Sequence, residues 1–207
     1  MNNSPQEYLA FANKLADVAG TTSMEYFRTS LSIDSKSDES PVTIADQNTE
    51  LKIRSMIEKE YPNHGILGEE FESVNPDAEF IWVIDPIDGT RSYIAGHKDF
   101  GNLISLTQNK KPIIGIINCP AHDERWVGVR NQNSTVNQKI VKTSNVTEIE
   151  DAYIFTSGLY FDEPQLRNAV DKIKNKVRYF RYGGDCYMYG MVASGLIDIV
   201  IEDTLKA

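Results

Sequence analysis

Five apolar residues, Phe80-Ile81-Trp82-Val83-Ile84, run directly into Asp85-Pro86-Ile87-Asp88-Gly89-Thr90. The run has the length and composition of a strand. Proline has no N–H to give a sheet ladder, so the strand is expected to stop at Pro86. Asp85 and Asp88 then lie on a tight turn, where Gly89 is free to take a conformation closed to other residues. Such a turn can aim both carboxylates and the Ile87 carbonyl at one point. Hard cations such as Mg2+ require all-oxygen ligands of this kind. The N–H groups of Gly89 and Thr90, with the Thr90 hydroxyl, are placed to meet an anion. Asp-Gly after a strand is also an ordinary hairpin turn, and this stretch alone leaves both readings open. A second acidic turn, Gly68-Glu69-Glu70, lies a short way upstream.

The sequence around this stretch predicts a mostly antiparallel sheet flanked by two helices. Tyr8, Phe11, Ala12, Leu15, Ala16 and Ala19 recur at helical spacing within residues 5–27, and Pro5 suits the first turn. Residues 30–40 read as a loop or a loose hairpin turn that carries Lys36. Thr43 or Asp46 is the expected N-cap of a second helix reaching Glu60, with Ile53, Met56 and Ile57 facing the core. Residues 65–67, 102–107, 112–118, 124–129 and 136–141 are further strand candidates, and the last is an edge. Near residue 150 the pattern changes. Strands at 152–156, 177–182 and 197–201 alternate with helices at 163–174 and 186–194, which signals α/β organisation. The expected division is therefore 1–145, an α+β unit, and 146–207, an α/β unit.

Composition removes several functions. The 207 residues carry a net charge of −9, which argues against a nucleic-acid backbone as partner. No apolar run approaches the roughly 20 residues that span a bilayer, and no signal peptide opens the chain. The two cysteines, Cys119 and Cys186, form no C-x-x-C pair and fit a reducing, cytoplasmic setting. His64, His97 and His122 make no zinc motif.

The order and spacing of Gly68-Glu69-Glu70 and Asp85-Pro86-Ile87-Asp88-Gly89-Thr90 resemble the inositol monophosphatase family. The resemblance runs from about Tyr8 to Lys206. It implies a layered α-β-α-β-α sandwich of the inositol monophosphatase and fructose-bisphosphatase type, a homodimer, and two or three Mg2+ ions. It also implies that Glu69, Asp85, Asp88 and the Ile87 carbonyl hold metal. Glu69 and Thr90 position the attacking water, Asp46 orients Thr90, and Gly89, Thr90 and Lys36 face the phosphate. The attack is direct, with no phosphoenzyme.

Further segments are similar to the histidinol-phosphate phosphatase branch. They are Asn118-Cys119-Pro120-Ala121, Gly183-Gly184-Asp185-Cys186-Tyr187, Tyr189-Gly190, Ala193-Ser194-Gly195 and Ile199-Val200-Ile201-Glu202. That branch implies L-histidinol phosphate as substrate and a place in histidine biosynthesis. Asp185 and Glu202 suit its positive charge, and Arg181 suits a phosphate or carboxylate. Asp185 is also readable as a helix N-cap. Inositol monophosphate hydrolysis is the alternative. In the family a further metal-binding aspartate follows the segment matching Leu205-Lys206, whereas this sequence stops at Ala207. The expectation is a fragment of a longer enzyme, or a shortened relative that binds metal weakly and catalyses poorly. Either leaves an open sheet edge beside residues 197–201.

Overall fold

The computed structural model describes residues 4–30, 33–35, 41–158 and 163–202; Lys36 lies outside them. The chain divides into two compact units, 1–140 and 141–207.

The first unit opens with α1 (Pro5–Tyr26). Its start is a capping box: Ser4 Oγ accepts from the Glu7 N–H at 3.3 Å, and the Ser4 N–H donates back to Glu7 Oε2 at 2.6 Å. Strands β1 (Ile33–Ser35) and β2 (Pro41–Thr43) pair antiparallel and lead into α2 (Ile44–Glu60). Both candidate caps of α2 take part. Thr43 is the N-cap and Asp46 is the third helical residue of a reciprocal capping box. Next come β3 (Gly65–Gly68), β4 (Phe80–Asp88), α3 (Thr90–Ile94), β5 (Gly101–Gln108), β6 (Lys111–Cys119) and β7 (Glu124–Val129). Two-residue strands β8 (Thr135–Val136) and β9 (Lys139–Ile140) close the unit as a small hairpin, where one edge strand is expected from sequence.

The seven strands β3 to β9 lie in chain order in one sheet. Only β3 and β4 run parallel; the other neighbours are antiparallel. Along β4, Phe80, Trp82 and Ile84 are buried and the residues between them are less so. That period of two turns one face toward the helices. There Tyr8, Phe11 and Leu15 of α1 and Ile53 and Ile57 of α2 join Trp82, Ile104, Leu106 and Ile116 in one core. Every α1 residue with helical spacing named above is buried. Burying side chains of this size stabilises by about 1.5–3 kcal/mol each.

His64 sits at the edge of this core. Its ring stacks on Tyr61 at 4.6 Å and on Phe80 at 5.0 Å, and its Nδ1 accepts from Trp82 Nε1 at 3.2 Å. A protonated Nδ1 cannot accept that bond. Burial pushes the His64 pKa below its ordinary value, against a smaller opposing pull from Glu79. The unfolded chain therefore takes up this proton first as pH falls. The stability His64 contributes is complete above about pH 6.5 and is lost as pH drops through the lower folded value. The denaturation midpoint is expected to fall between about pH 7 and pH 5.5, and His64→Gln should flatten that slope. Equal slopes in the two proteins would show that His64 is not the cause.

The second unit contains a 3-10 turn (Ile149–Asp151), β10 (Tyr153–Thr156), α4 (Pro164–Lys174), β11 (Tyr179–Tyr182), α5 (Asp185–Ala193) and β12 (Ile199–Val200). The three strands are parallel in the order β11-β10-β12. Strand–helix–strand crossovers in a parallel sheet are what the alternating pattern predicts. Phe155, Met188 and Ile197 form its small core. Asp198 secures the entry to β10, accepting from the Ser144 hydroxyl and, at 2.6 Å, from the Tyr153 N–H.

Candidate active site

Strand β4 does not stop at Pro86. It continues to Asp88 across an irregularity. Asp85 pairs with Leu103 and Asp88 with Gly101, so Pro86 and Ile87 together face the single residue Asn102. That two-against-one count is a β-bulge, and it accommodates a proline with no N–H to donate. It also sets the chemistry. Residues three apart on a regular strand point to opposite faces; one inserted residue resets the alternation. Asp85 and Asp88 thereby act on each other, and the Asp88 charge is the largest electrostatic influence on Asp85. Gly89 follows in the left-handed region at φ 80° and turns the chain into α3.

Asp85 lies in a repulsive setting. Its Oδ1 is buried and has no hydrogen-bond partner. Burial first, then the charges of Asp88 and Glu69, a side-chain hydrogen bond with Glu69 and the charge of Asp46, raise its pKa well above the ordinary carboxylate value. Asp46 is raised too, mainly by burial, although hydrogen bonds from Thr43 partly offset this. Its Oδ2 accepts from the Thr43 N–H at 2.9 Å and the Thr43 hydroxyl at 2.6 Å. Thr90 Oγ1 lies 3.1 Å from the Ile87 carbonyl and 3.5 Å from Asp46 Oδ1. One hydroxyl proton serves one acceptor at a time. The shorter contact gives it to Ile87, and Asp46 stands as the second acceptor.

The Glu69 turn has a support that the sequence did not suggest. Glu50 of α2 is fully buried, and its Oε2 accepts from the N–H groups of Glu69 at 3.0 Å and Glu70 at 2.8 Å. Its Oε1 pairs with Arg54 Nε at 2.7 Å. Arg54 in turn donates to the carbonyls of Phe71 and Glu72 at 2.9 and 3.0 Å. One buried ion pair therefore fixes four backbone groups of this turn. A Cβ on Gly68 would fall 1.9 Å from Glu50 Oε1, so glycine is required there. The available sequence signal was Glu50 and Arg54 at i,i+4 spacing, but it looks like a solvated surface pair.

In the second unit, Gly183, Gly184 and Asp185 take φ values of 92°, 124° and 41° in succession. The two glycines take positive φ at no steric cost; Asp185, which carries a side chain, holds strain of the kind found at ligand turns. Asp185 is not the N-cap of α5: Gly184 is, and Asp185 is the first helical residue. Glu202 accepts from the Ser157 N–H at 2.7 Å and from the Ser157 hydroxyl at 2.5 Å. Arg181 lies over the Phe155 ring at 5.6 Å. Glu202 and Arg181 therefore each have a contact partner within their own unit.

A sequence model of the inositol monophosphatase family matches residues 4–207. The chain belongs to that family. The bifunctional phosphatase IMPL2, chloroplastic, of Arabidopsis thaliana is 39% identical over 215 residues, covering 99% of this chain and 62% of that protein. A histidinol-phosphatase of Chlorobaculum parvum is 36% identical over 200 residues, covering 96% of this chain and 77% of the relative. The solved structure of an inositol monophosphatase from Zymomonas mobilis superposes with a TM-score of 0.87 at 40% identity, covering 99% of this chain and 79% of that one. This chain thus spans less than two thirds of the plant relative's length and under four fifths of the other two. The mixed sheets and helices described above match the family's fold, as expected from sequence.

The inositol monophosphatase family is generally Mg2+-dependent, and the residues here fit such an ion. Among the described residues no three His, Cys, Asp or Glu side chains close into a finished metal cage. The fit rests on the unpartnered buried oxygen of Asp85 and on the mutual repulsion of Asp85, Asp88, Glu69 and Asp46. A divalent cation relieves both.

Proposed function

We propose that this chain hydrolyses a small phosphate monoester with Mg2+ held by Glu69, Asp85, Asp88 and the Ile87 carbonyl. The observation that carries this reading is the buried Asp85 carboxylate, with its Oδ1 unpartnered, crowded by Asp88 and Glu69. Bound Mg2+, two or three ions by family resemblance, supplies Lewis acidity and lowers the pKa of water. General acid–base groups alone contribute only about 10²–10⁴ in rate. The chain's own residues orient the reactants. Thr90, with its proton directed at Ile87 or Asp46, keeps a lone pair to accept from the attacking water, and Glu69 takes the second hydrogen bond. The N–H groups of Gly89 and Thr90 face the phosphate. Helix α3 has only five residues, so local N–H groups rather than a macrodipole serve the anion. Water oxygen bonds to phosphorus as the bond to the substrate's alcohol oxygen breaks.

For the substrate we infer L-histidinol phosphate. The Chlorobaculum relative named histidinol-phosphatase and the strained Gly183-Gly184-Asp185 turn support it. Asp185 and Glu202 would receive its ammonium and imidazole, with Arg181 toward phosphate. The alternative, inositol monophosphate, is favoured by the 40% identity to the Zymomonas inositol monophosphatase. The test is hydrolysis of both esters side by side. Asp185→Asn should raise KM for histidinol phosphate by roughly 10- to 150-fold, equivalent to about 1.5–3 kcal/mol for a charge-assisted contact, and should leave KM for inositol phosphate nearly unchanged. Faster turnover of inositol phosphate by the wild-type chain would reverse the substrate assignment. No turnover of either would favour a binding protein without catalysis.

The net charge of −9 supports a small-molecule partner over nucleic acid. No helix among the described residues is long and apolar enough to cross a membrane. Cys119 and Cys186 are buried and form no disulfide, in keeping with a reducing compartment such as the cytoplasm. A homodimer is the assembly the family resemblance implies.

A further inference from the structure

We propose that Asn102, Asn118 and Arg125 form a directional relay that holds the β4 bulge, and with it the Asp85–Asp88 pair, in working geometry. Asn102 is the one residue opposite the bulge. It is fully buried, and its Nδ2 donates to the Pro86 carbonyl at 2.7 Å and to Ser23 Oγ at 3.3 Å. A bulge interrupts the ladder at this point; the Asn102 amide supplies the contact from the side. Its Oδ1 accepts from Asn118 Nδ2 at 2.8 Å, which also donates to the Ala16 carbonyl at 3.2 Å. Asn118 Oδ1 accepts from Arg125 Nε at 2.8 Å. Arg125 is fixed by Asp17 at 2.7 Å and by Asn13 Oδ1 at 3.2 Å.

The direction of this chain follows from chemistry. An amide turned end over end has nearly the same shape, so packing alone would accept either orientation. Arginine has only donors. Facing Arg125, Asn118 must present its oxygen, so its NH2 faces Asn102. Asn102 must then present its own oxygen to Asn118, which leaves its NH2 for the Pro86 carbonyl. A cation near the surface thereby dictates that a donor meets the bulge. Tyr93, three residues beyond Thr90, donates to the Ser23 carbonyl at 2.7 Å, so α1 secures the segment on both sides of the Asp85–Asp88 turn.

This inference rests on the metal reading of the site, and two separate measurements keep the two apart. The first is hydrogen exchange at the Ile87, Asp88 and Gly89 amides. The second is Mg2+ affinity by calorimetry. Asn102→Ala should speed exchange at those amides and weaken Mg2+ binding by at least about tenfold, the scale at which outer-shell partners act on metal affinity. Leu106→Ala, a core change on the same strand outside the relay, should lower the melting temperature at least as much while leaving both readouts near wild type. If Asn102→Ala does not fold, Arg125→Met at the outer end removes the directing cation. It should give the same signature more weakly, with about a threefold loss of affinity, below the roughly tenfold minimum expected of the inner residue. Unchanged exchange and affinity in a folded variant would overturn the proposal, as would equal losses in Leu106→Ala. Wild-type protein that takes up no Mg2+ would refute the metal reading, and the exchange comparison would still decide whether the relay holds the bulge.

Discussion

Asp85→Asn should abolish Mg2+-dependent hydrolysis, by at least ~100-fold, yet yield a chain that is more stable than wild type when no divalent cation is present. Both effects come from one carboxylate. Its charge is buried with an unpartnered oxygen, close to the charges of Asp88, Glu69 and Asp46. An amide of the same shape removes the repulsion and lightens the desolvation penalty. The expected gain is on the order of 1–2 kcal/mol, since a buried carboxylate with one unsatisfied oxygen costs at least as much as an unsatisfied polar group. In wild type the same relief comes from Mg2+, so adding Mg2+ should raise the wild-type melting temperature and leave the variant's unchanged. The comparison is a pair of thermal melts with and without Mg2+, beside a phosphate-release assay. A variant that is less stable than wild type in chelator would show that Asp85 is satisfied by the fold alone.

Glu50→Ala should be among the most destabilising single changes in the chain, although Glu50 touches no substrate. It strips Arg54 of its buried partner and removes the acceptor of the Glu69 and Glu70 N–H groups. Removing one member of a buried ion pair costs about 3–5 kcal/mol. For a chain of this length that corresponds to a fall in melting temperature of roughly 6–20 °C. Hydrolysis should fall further than stability accounts for, because Glu69 loses its anchor. Glu50→Gln should recover part of the stability, since one amide oxygen can still accept from Arg54 or from the turn. The check is a denaturant titration of both variants with hydrolysis measured well below their midpoints. A loss under about 1 kcal/mol, the range of an exposed ion pair, would mean that water reaches Arg54 and that the pair is not structural.

These two residues mark where the sequence could be read and where it could not. Asp85 and Asp88 were visible because their turn is local: strand, proline, carboxylate and glycine follow one another within a few residues. The helix pattern of α1 was visible for the same reason, since burial repeats along one face. The bulge was not. Pro86 reads as a strand end when only backbone donors are counted, and the compensating amide of Asn102 comes from the neighbouring strand. Glu50 and Arg54 were missed because a polar pair at i,i+4 looks alike on a wet face and a buried one; the difference lies in Gly68, which opens the space that they fill. The parallel pairing of β3 with β4 escaped because it depends on how residues 69–79 return the chain between the two strands, not on either strand's composition. In the second unit Asp185 was readable as a helix N-cap, but not that Gly184 takes that place and Asp185 itself is held at positive φ.

Calorimetric titration of Mg2+ into the wild-type chain and into Asp88→Asn tests the central claim most directly. Asp88 is the largest charged influence on Asp85 across the bulge, and its removal leaves the Glu50–Arg54 scaffold of the other turn untouched. The account predicts saturable Mg2+ uptake by wild type and a loss of affinity of at least about tenfold in the variant, with a melting temperature in chelator no lower than that of wild type. Equal Mg2+ uptake by the two proteins, or none by wild type, would contradict it.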